Sequence, residues 1–409
     1  MRCLAELLFL AHRIPCPPTK GDKIRAYHFL SHLARTHVVH LGCLIDDADD
    51  WRHVEELRRL CHECHFAALT RPRRLMRAAG ALAGNLAITI AALRDPALAG
   101  WIADLVRRRP VDAVLAYSSG MAQFLATVPP TTAVRIVDFV DVDPEKWRQL
   151  AASRSWPWSW LYRRESERLR AFDGAAANWC DHCLFVSPAE AQAFQELIPE
   201  ARAKTRVVPN GVDSGYFAPE VAPPCPFEPG GPVLAFTGDM SYWPNEDAVL
   251  WFARAVLPML RARRPDLRFF VVGRAPGRRL RRAAPRLGME LTGTVPDVRP
   301  FLAHAALVVA PLRIARGVPN KVLEAMAMAK AVVATPAAIA GLGLRPGHDL
   351  LIAEAPSAFA DAVAGLLDSR RAADLGARAR ARVVADYAWE SSFRRLDRLI
   401  NIRQHRTEA

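Results

Sequence analysis

Arg313, Arg316, Gly317 and Pro319 stand immediately before Asn320 and Lys321. This short cationic stretch with a glycine and a lysine suits an anion. The apolar runs on either side, residues 306–312 and 331–335, are short and rich in β-branched residues, while Val322, Leu323, Met326 and Ala327 between them recur at helical spacing. The predicted order is strand, loop, helix, strand. Such a unit sets a helix N-terminus, with free N–H groups and the positive end of its dipole, at the carboxyl edge of a parallel sheet, where a phosphate is stabilised.

A second set of chemical groups lies earlier. Asp138, Asp141 and Asp143 fall at or past the end of an apolar run, and Ser118, Ser119 and Gly120 end another. The first apolar run leads into a loop stiffened by Pro15, Pro17 and Pro18, in which Gly21 would let backbone approach a ligand above the sheet. No G-x-G-x-x-G follows that first strand, which argues against a dinucleotide-dependent oxidoreductase. Asp141 and Asp143 also read as a metal-binding D-x-D, although short acidic turns are common. Cys61-His62-Glu63-Cys64-His65 and Cys180-Asp181-His182-Cys183 give two C-x-x-C pairs of zinc-like spacing, far apart in the chain.

These groups need elements to hold them. The 409 residues, 51% of them hydrophobic, suffice for two domains. Short apolar runs alternate with helical patterns throughout, which predicts two Rossmann-like parallel-sheet domains. A proline-rich link at residues 218–232 marks their junction, and glycine loops at both sets of strand ends suggest a ligand in an interdomain cleft. The net charge is +13 and the pI about 9.8, but only six lysines occur against many arginines, so part of the basicity reflects composition. No basic helix with interleaved aromatics or known module supports a nucleic-acid partner. Eight cysteines form no disulfide framework, and the first apolar run is followed at once by His12 and Arg13, so a cytoplasmic location is expected. Residues 71–109 are basic and helical, with an apolar core too short to span a bilayer. Residues 154–170 carry three tryptophans and a tyrosine among arginines; they read either as a peripheral membrane surface or as packing against the basic helices, with arginines stacked on indoles.

Residues 205–340 carry the segments VVPNGVD, FTGDMSYWPNEDAVLWF, VVGR, LTGTVPDVRPFLAHAALVVAPL and NKVLEAMAMAKAVVAT in that order. In this order they resemble the retaining nucleotide-sugar glycosyltransferases of the GT-B fold, in the large family numbered four. RIARGVPNKVLEAMAMAK, with the early HRIPCPPTKGDKIRAYH, is further similar to the sugar transferases of exosortase and PEP-CTERM exopolysaccharide clusters.

The resemblance implies a domain at 1–204 on the acceptor side, a nucleotide-sugar domain at 205–388, and a helix at 389–409 that crosses back to the first. It places Glu324 at the second glutamate of the family's motif, on the donor's ribose hydroxyls. Gly317 and Asn320 fall at the helix terminus that meets the distal phosphate, and Lys321 against the diphosphate. Gly238 and Gly21 match glycines on the two sides of the donor, and Val298 falls beside the nucleobase. Asp141 falls near the anomeric carbon, with Asp138 competing for that position. Arg316 replaces the motif's first glutamate, which brings a cation to the diphosphate or to an acidic donor sugar and also leaves room for a non-catalytic sugar-nucleotide-binding relative. The implied reaction moves a sugar, with retention, from a nucleoside diphosphate sugar to a glycan or polyprenyl-linked hydroxyl at an anionic inner-membrane surface. No metal or other cofactor is expected.

Overall fold

The computed structural model describes residues 5–18, 21–129, 133–221, 223–314, 320–367 and 369–400. They fall into two compact units, Met1–Pro209 with Phe393–Ala409, and Asn210–Ser392.

The first unit is built on a seven-stranded sheet in the order β3-β2-β1-β4-β5-β6-β7. Its strands are β1 (Glu6–Ala11), β2 (Val38–Ile45), β3 (Glu63–Ala68), β4 (Ala113–Tyr117), β5 (Val134–Val140), β6 (His182–Phe185) and β7 (Thr205–Val207). Every pairing is parallel. The inner strands are buried along almost their whole length, as parallel strands covered by helices on both faces must be. Two connecting helices begin with a cap followed by proline. Asp95 accepts from the N–H groups of Ala97 and Leu98 before the helix Pro96–Arg108, and Ser187 accepts from Glu190 before Pro188–Leu197. Each such cap contributes about 1 kcal/mol.

The second unit carries a six-stranded parallel sheet, β10-β9-β8-β11-β12-β13. Here β8 is Val233–Thr237, β9 Arg268–Val272, β10 Met289–Gly293, β11 Leu307–Ala310, β12 Val332–Ala334 and β13 Leu351–Ile352. Phe236, Val249, Phe252, Phe269, Val322 and Met326 are buried together in its core. The strand, helix, strand order expected around residue 320 is present as β11, the helix Asn320–Ala327 and β12.

Several boundaries differ from those read in the sequence. β7 is the edge strand of the first sheet, so the first unit runs to Pro209 rather than 204, and the proline-rich link lies inside the second unit. After β2 a 3-10 turn, Ala48–His53, leads into the helix Val54–Leu60. The basic stretch from 71 divides at Gly84 and Asp95-Pro96 into Arg71–Ala83, Ile88–Ala92 and Pro96–Arg108. The helix Trp389–Ile400 brings Phe393 onto the ring of His32, at 4.1 Å between centroids, and Asp397 to 2.8 Å from the His32 Nε2. No helix among the described residues is long and apolar enough to cross a membrane.

Candidate active site

The chemical centre of the second unit is assembled at the carboxyl ends of β8 and β9. β8 ends at Thr237, and the chain leaves it through Gly238 at φ +157°. A Cβ on Gly238 would sit 2.9 Å from both the Lys321 Nζ and the Asn245 Nδ2. The absent side chain therefore admits the ammonium to the strand end. Gly273, at φ +147° after β9, has a parallel role, since a Cβ there would run into the Gly238 carbonyl oxygen. Lys321 donates to the Asn245 Oδ1 and its Nζ lies 4.2 Å above the Phe236 ring. Asn245 in turn donates from Nδ2 to the Asp239 carbonyl at 2.8 Å.

Glu324 lies one helical turn beyond Lys321, so the two side chains share a face of the helix Asn320–Ala327. Burial pushes the Lys321 ammonium down to about 7, with Glu324 pulling it up. Burial likewise pushes the Glu324 carboxyl up to about 7, against the pull of Lys321. Burial thus favours the neutral form of each group. An incoming dianion would recharge the lysine, and a carboxylate accepting from two vicinal hydroxyls would be restored on the glutamate.

Asn320 opens the same helix, and its Oδ1 is buried without a partner among the described residues. Val298 is half-buried in the turn that starts the helix Arg299–His304 and packs on both apolar clusters of the unit. Beside it the Arg299 guanidinium lies 3.9 Å over the Tyr216 ring, while Asp297 holds Arg299 through paired hydrogen bonds. Arg313, from the cationic stretch that suits an anion, is engaged in two bonds with Asp247 at 2.6 and 3.0 Å. Arg316 and Gly317 lie outside the described residues.

In the first unit the two competing aspartates separate. Asp138 is completely buried and takes two bonds from the equally buried Arg25, at 2.7 and 3.2 Å, whose guanidinium lies over Phe29. It is a structural counter-ion. Asp141 keeps an Oδ1 that is buried without a partner among the described residues, and Lys146 is 3.9 Å from its Oδ2. Burial raises its carboxyl above the usual range, with Lys146 opposing. The residue that delivers it, Val140, sits at φ +69°, where the β5–β6 register shifts. A β-branched residue there is strained. Gly21 begins the helix Gly21–Thr36 with open space where its Cβ would be, so nothing in the described fold requires glycine at that position.

Sequence reasoning missed Asn245, in the first turn of the helix Trp243–Ala255, as a partner of Lys321. It also missed Arg25. Neither zinc-like cysteine pair gathers three ligand atoms among the described residues; Cys180 and Cys183 are buried, their sulfurs 3.5 Å apart.

Two parallel-sheet units, one with a buried lysine and a carboxylate beside glycine turns, define a two-domain α/β fold of the Rossmann-like kind. Residues 231–369 match the family described as Glycosyl transferases group 1, and residues 51–216 match Glycosyltransferase Family 4. No curated protein sequence matches the chain. Among solved structures, a Rickettsia africae glycosyltransferase has a TM-score of 0.70 at 14% identity, covering 97% of this chain and 98% of its own. Thermosynechococcus elongatus sucrose-phosphate synthase gives 0.68 at 16% identity, covering 99% and 100%. Anabaena HepE, in complex with UDP and glucose, gives 0.66 at 14% identity, covering 97% and 99%. Both parts of the chain carry glycosyltransferase domains, and the chain is a glycosyltransferase of the GT-B fold.

Proposed function

We propose that the chain transfers a glycosyl group, with retention, from a nucleoside diphosphate sugar to the hydroxyl of a lipid-linked or growing polysaccharide in exopolysaccharide synthesis. The observation that carries the donor class is the Lys321, Glu324 and Gly238 cluster. It offers one cation for a diphosphate and one carboxylate for a ribose within a helical turn. The solved HepE complexes with UDP and with UDP-glucose agree with that donor class. Val298, beside the stacked Tyr216 and Arg299, is assigned to the nucleobase, and Asn320 and Gly317 to the distal phosphate. Arg316 is assigned to the diphosphate or to an acid group on the donor sugar.

In this reading the barrier falls because the departing diphosphate is met by a preorganised cation and helix N–H groups. Asp141 lies on the acceptor-side unit and acts at the reacting sugar. Gly21 borders the same ligand. No metal takes part in the transfer.

The acceptor reading rests on the surface of the first unit. Leu75 and Met76 are 71% and 69% exposed on the helix Arg71–Ala83, beside exposed Arg71, Arg73 and Arg74. Trp156, Trp158 and Trp160 are 80%, 55% and 56% exposed at the start of Trp158–Trp179. Arg164 joins the two segments by donating to the carbonyls of Gly84 and Leu86. Indoles and aliphatic tips beside arginines fit the interface of an anionic bilayer. We assign this surface to the inner face of the membrane, where a polyprenyl-linked acceptor would be presented.

The test is a panel of nucleoside diphosphate sugars read by melting temperature and then by transfer to a lipid-linked acceptor. One donor is expected to raise the melting temperature and to be consumed. If none does either, the donor class is wrong.

A further inference from the structure

Cys16, His53 and Glu56 come together on the first unit although 37 and 40 positions separate the cysteine from the other two. Cys16 lies in the loop after β1, and His53 and Glu56 follow β2, its direct neighbour in the sheet. The three residues therefore meet where two adjacent parallel strands release their loops. His53 precedes the helix Val54–Leu60, which places it and Glu56 three residues apart on one face.

One ligand atom from each lies within 4.8 Å of the others. The Cys16 thiol, 2% exposed, donates to the Glu56 Oε2 at 2.9 Å, and the Tyr27 hydroxyl donates to the other carboxylate oxygen at 3.4 Å. Ligands on a tetrahedral zinc ion stand roughly 3.3–3.6 Å apart, given bonds of about 2.0–2.3 Å. Glu56 is exposed and His53 half-buried, so both side chains have room to move.

We propose that Cys16, His53 and Glu56 form a three-ligand site for a divalent transition ion of borderline softness, zinc above all. On binding, the thiol proton now directed at Glu56 passes to solvent, and the resulting thiolate and the carboxylate together neutralise the dication. A neutral imidazole completes the protein's share. Three protein ligands leave a fourth position for water or an oxygen ligand. Pro17 and Arg52, chain neighbours of Cys16 and His53, line a cavity of about 360 Å³ into which Lys23, Asp47 and Asp49 also face. Arg52 donates to the His53 Nε2 at 3.0 Å, which marks Nε2 as the nitrogen with the free lone pair; on binding, the ion takes the place of the Arg52 N–H there. The ion would tie the proline-rich loop to the next strand's helix. It takes no part in the proposed sugar transfer.

The experiment is a titration of the metal-free full-length chain with Co²⁺ as a spectroscopic stand-in for zinc. One equivalent is expected to produce a sulfur-to-cobalt charge-transfer band that stoichiometric Zn²⁺ abolishes. Cys16→Ser should lose the band. His53→Ala and Glu56→Gln, changes at more exposed positions, should keep the fold by circular dichroism and weaken Co²⁺ affinity by about tenfold or more. A wild-type chain without the band overturns the proposal. So does a band that survives in Cys16→Ser, which would place it on Cys61 and Cys64 or on Cys180 and Cys183, or an unchanged affinity in His53→Ala.

Discussion

Lys321 is held where its own charge is disfavoured, and that defines its behaviour. In the free enzyme it loses its proton as pH rises through about 7. kcat/KM for the donor, which reports the free enzyme, is therefore expected to fall above about pH 7. Lys321→Arg should flatten that limb because a guanidinium stays charged, and Lys321→Ala should slow transfer about 10²-fold or more. A pH profile of the two variants beside wild type checks this. The aspartates give a second contrast. Asp138→Asn leaves the buried Arg25 without its counter-charge and is expected to cost about 3–5 kcal/mol in denaturant unfolding. Asp141→Asn removes a carboxylate with no buried partner to strand, so it should keep wild-type stability while transfer falls. Equal losses of stability would return the two residues to the same structural role.

Among the elements, the loops at strand ends carry the chemistry and the helices beside them carry the surface. Replacing Trp156, Trp158 and Trp160 together by serine should weaken cosedimentation with anionic vesicles roughly tenfold, a loss of about 1.4 kcal/mol, without changing melting; unchanged binding would leave the tryptophans without a membrane role. The inner strands were readable because they are buried apolar runs, and the helix Asn320–Ala327 because its apolar residues keep a helical period. β7 was not, since three residues show no period. Pairings across the sheet are equally silent in the chain. Arg25 and Asp138 are 113 residues apart and Lys321 and Asn245 are 76 apart, so neither spacing nor propensity connects them. Gly238 was assigned by resemblance; the reason for it, the space needed by an ammonium, appears only in three dimensions.

On the scale of the whole molecule, the Lys321 and Glu324 cluster lowers the stability of the protein without its donor. Glu324 is raised from 4.5 to about 7, so across that interval the folded chain holds a proton that the unfolded chain has released, and stability falls as pH rises. Lys321 is lowered from 10.5 to about 7, so above 7 the unfolded chain holds the extra proton and stability rises again. The contribution of the pair is least favourable near pH 7. A Lys321→Met/Glu324→Gln double variant is expected to melt above wild type at pH 7, by about 2–4 °C for each kcal/mol recovered. The difference should shrink toward pH 4.5 and pH 10.5. Calorimetry across that range checks it, and a double variant that melts lower at pH 7 refutes it.

The path of the chain between the units has its own consequence. The polypeptide leaves the first unit after Pro209 and rejoins it at Phe393. Val212 and Ala388 form a bridge just inside the second unit, with the Val212 N–H donating to the Tyr387 carbonyl at 2.8 Å. The second unit is thus a passenger spliced into the first, its entrance and exit fastened side by side. A nick at the second crossing leaves Met1–Ser392 on one chain, whereas a nick at the first leaves the second unit tied to residues 1–209 only through the C-terminal helix, whose Phe393 and Asp397 pack on His32.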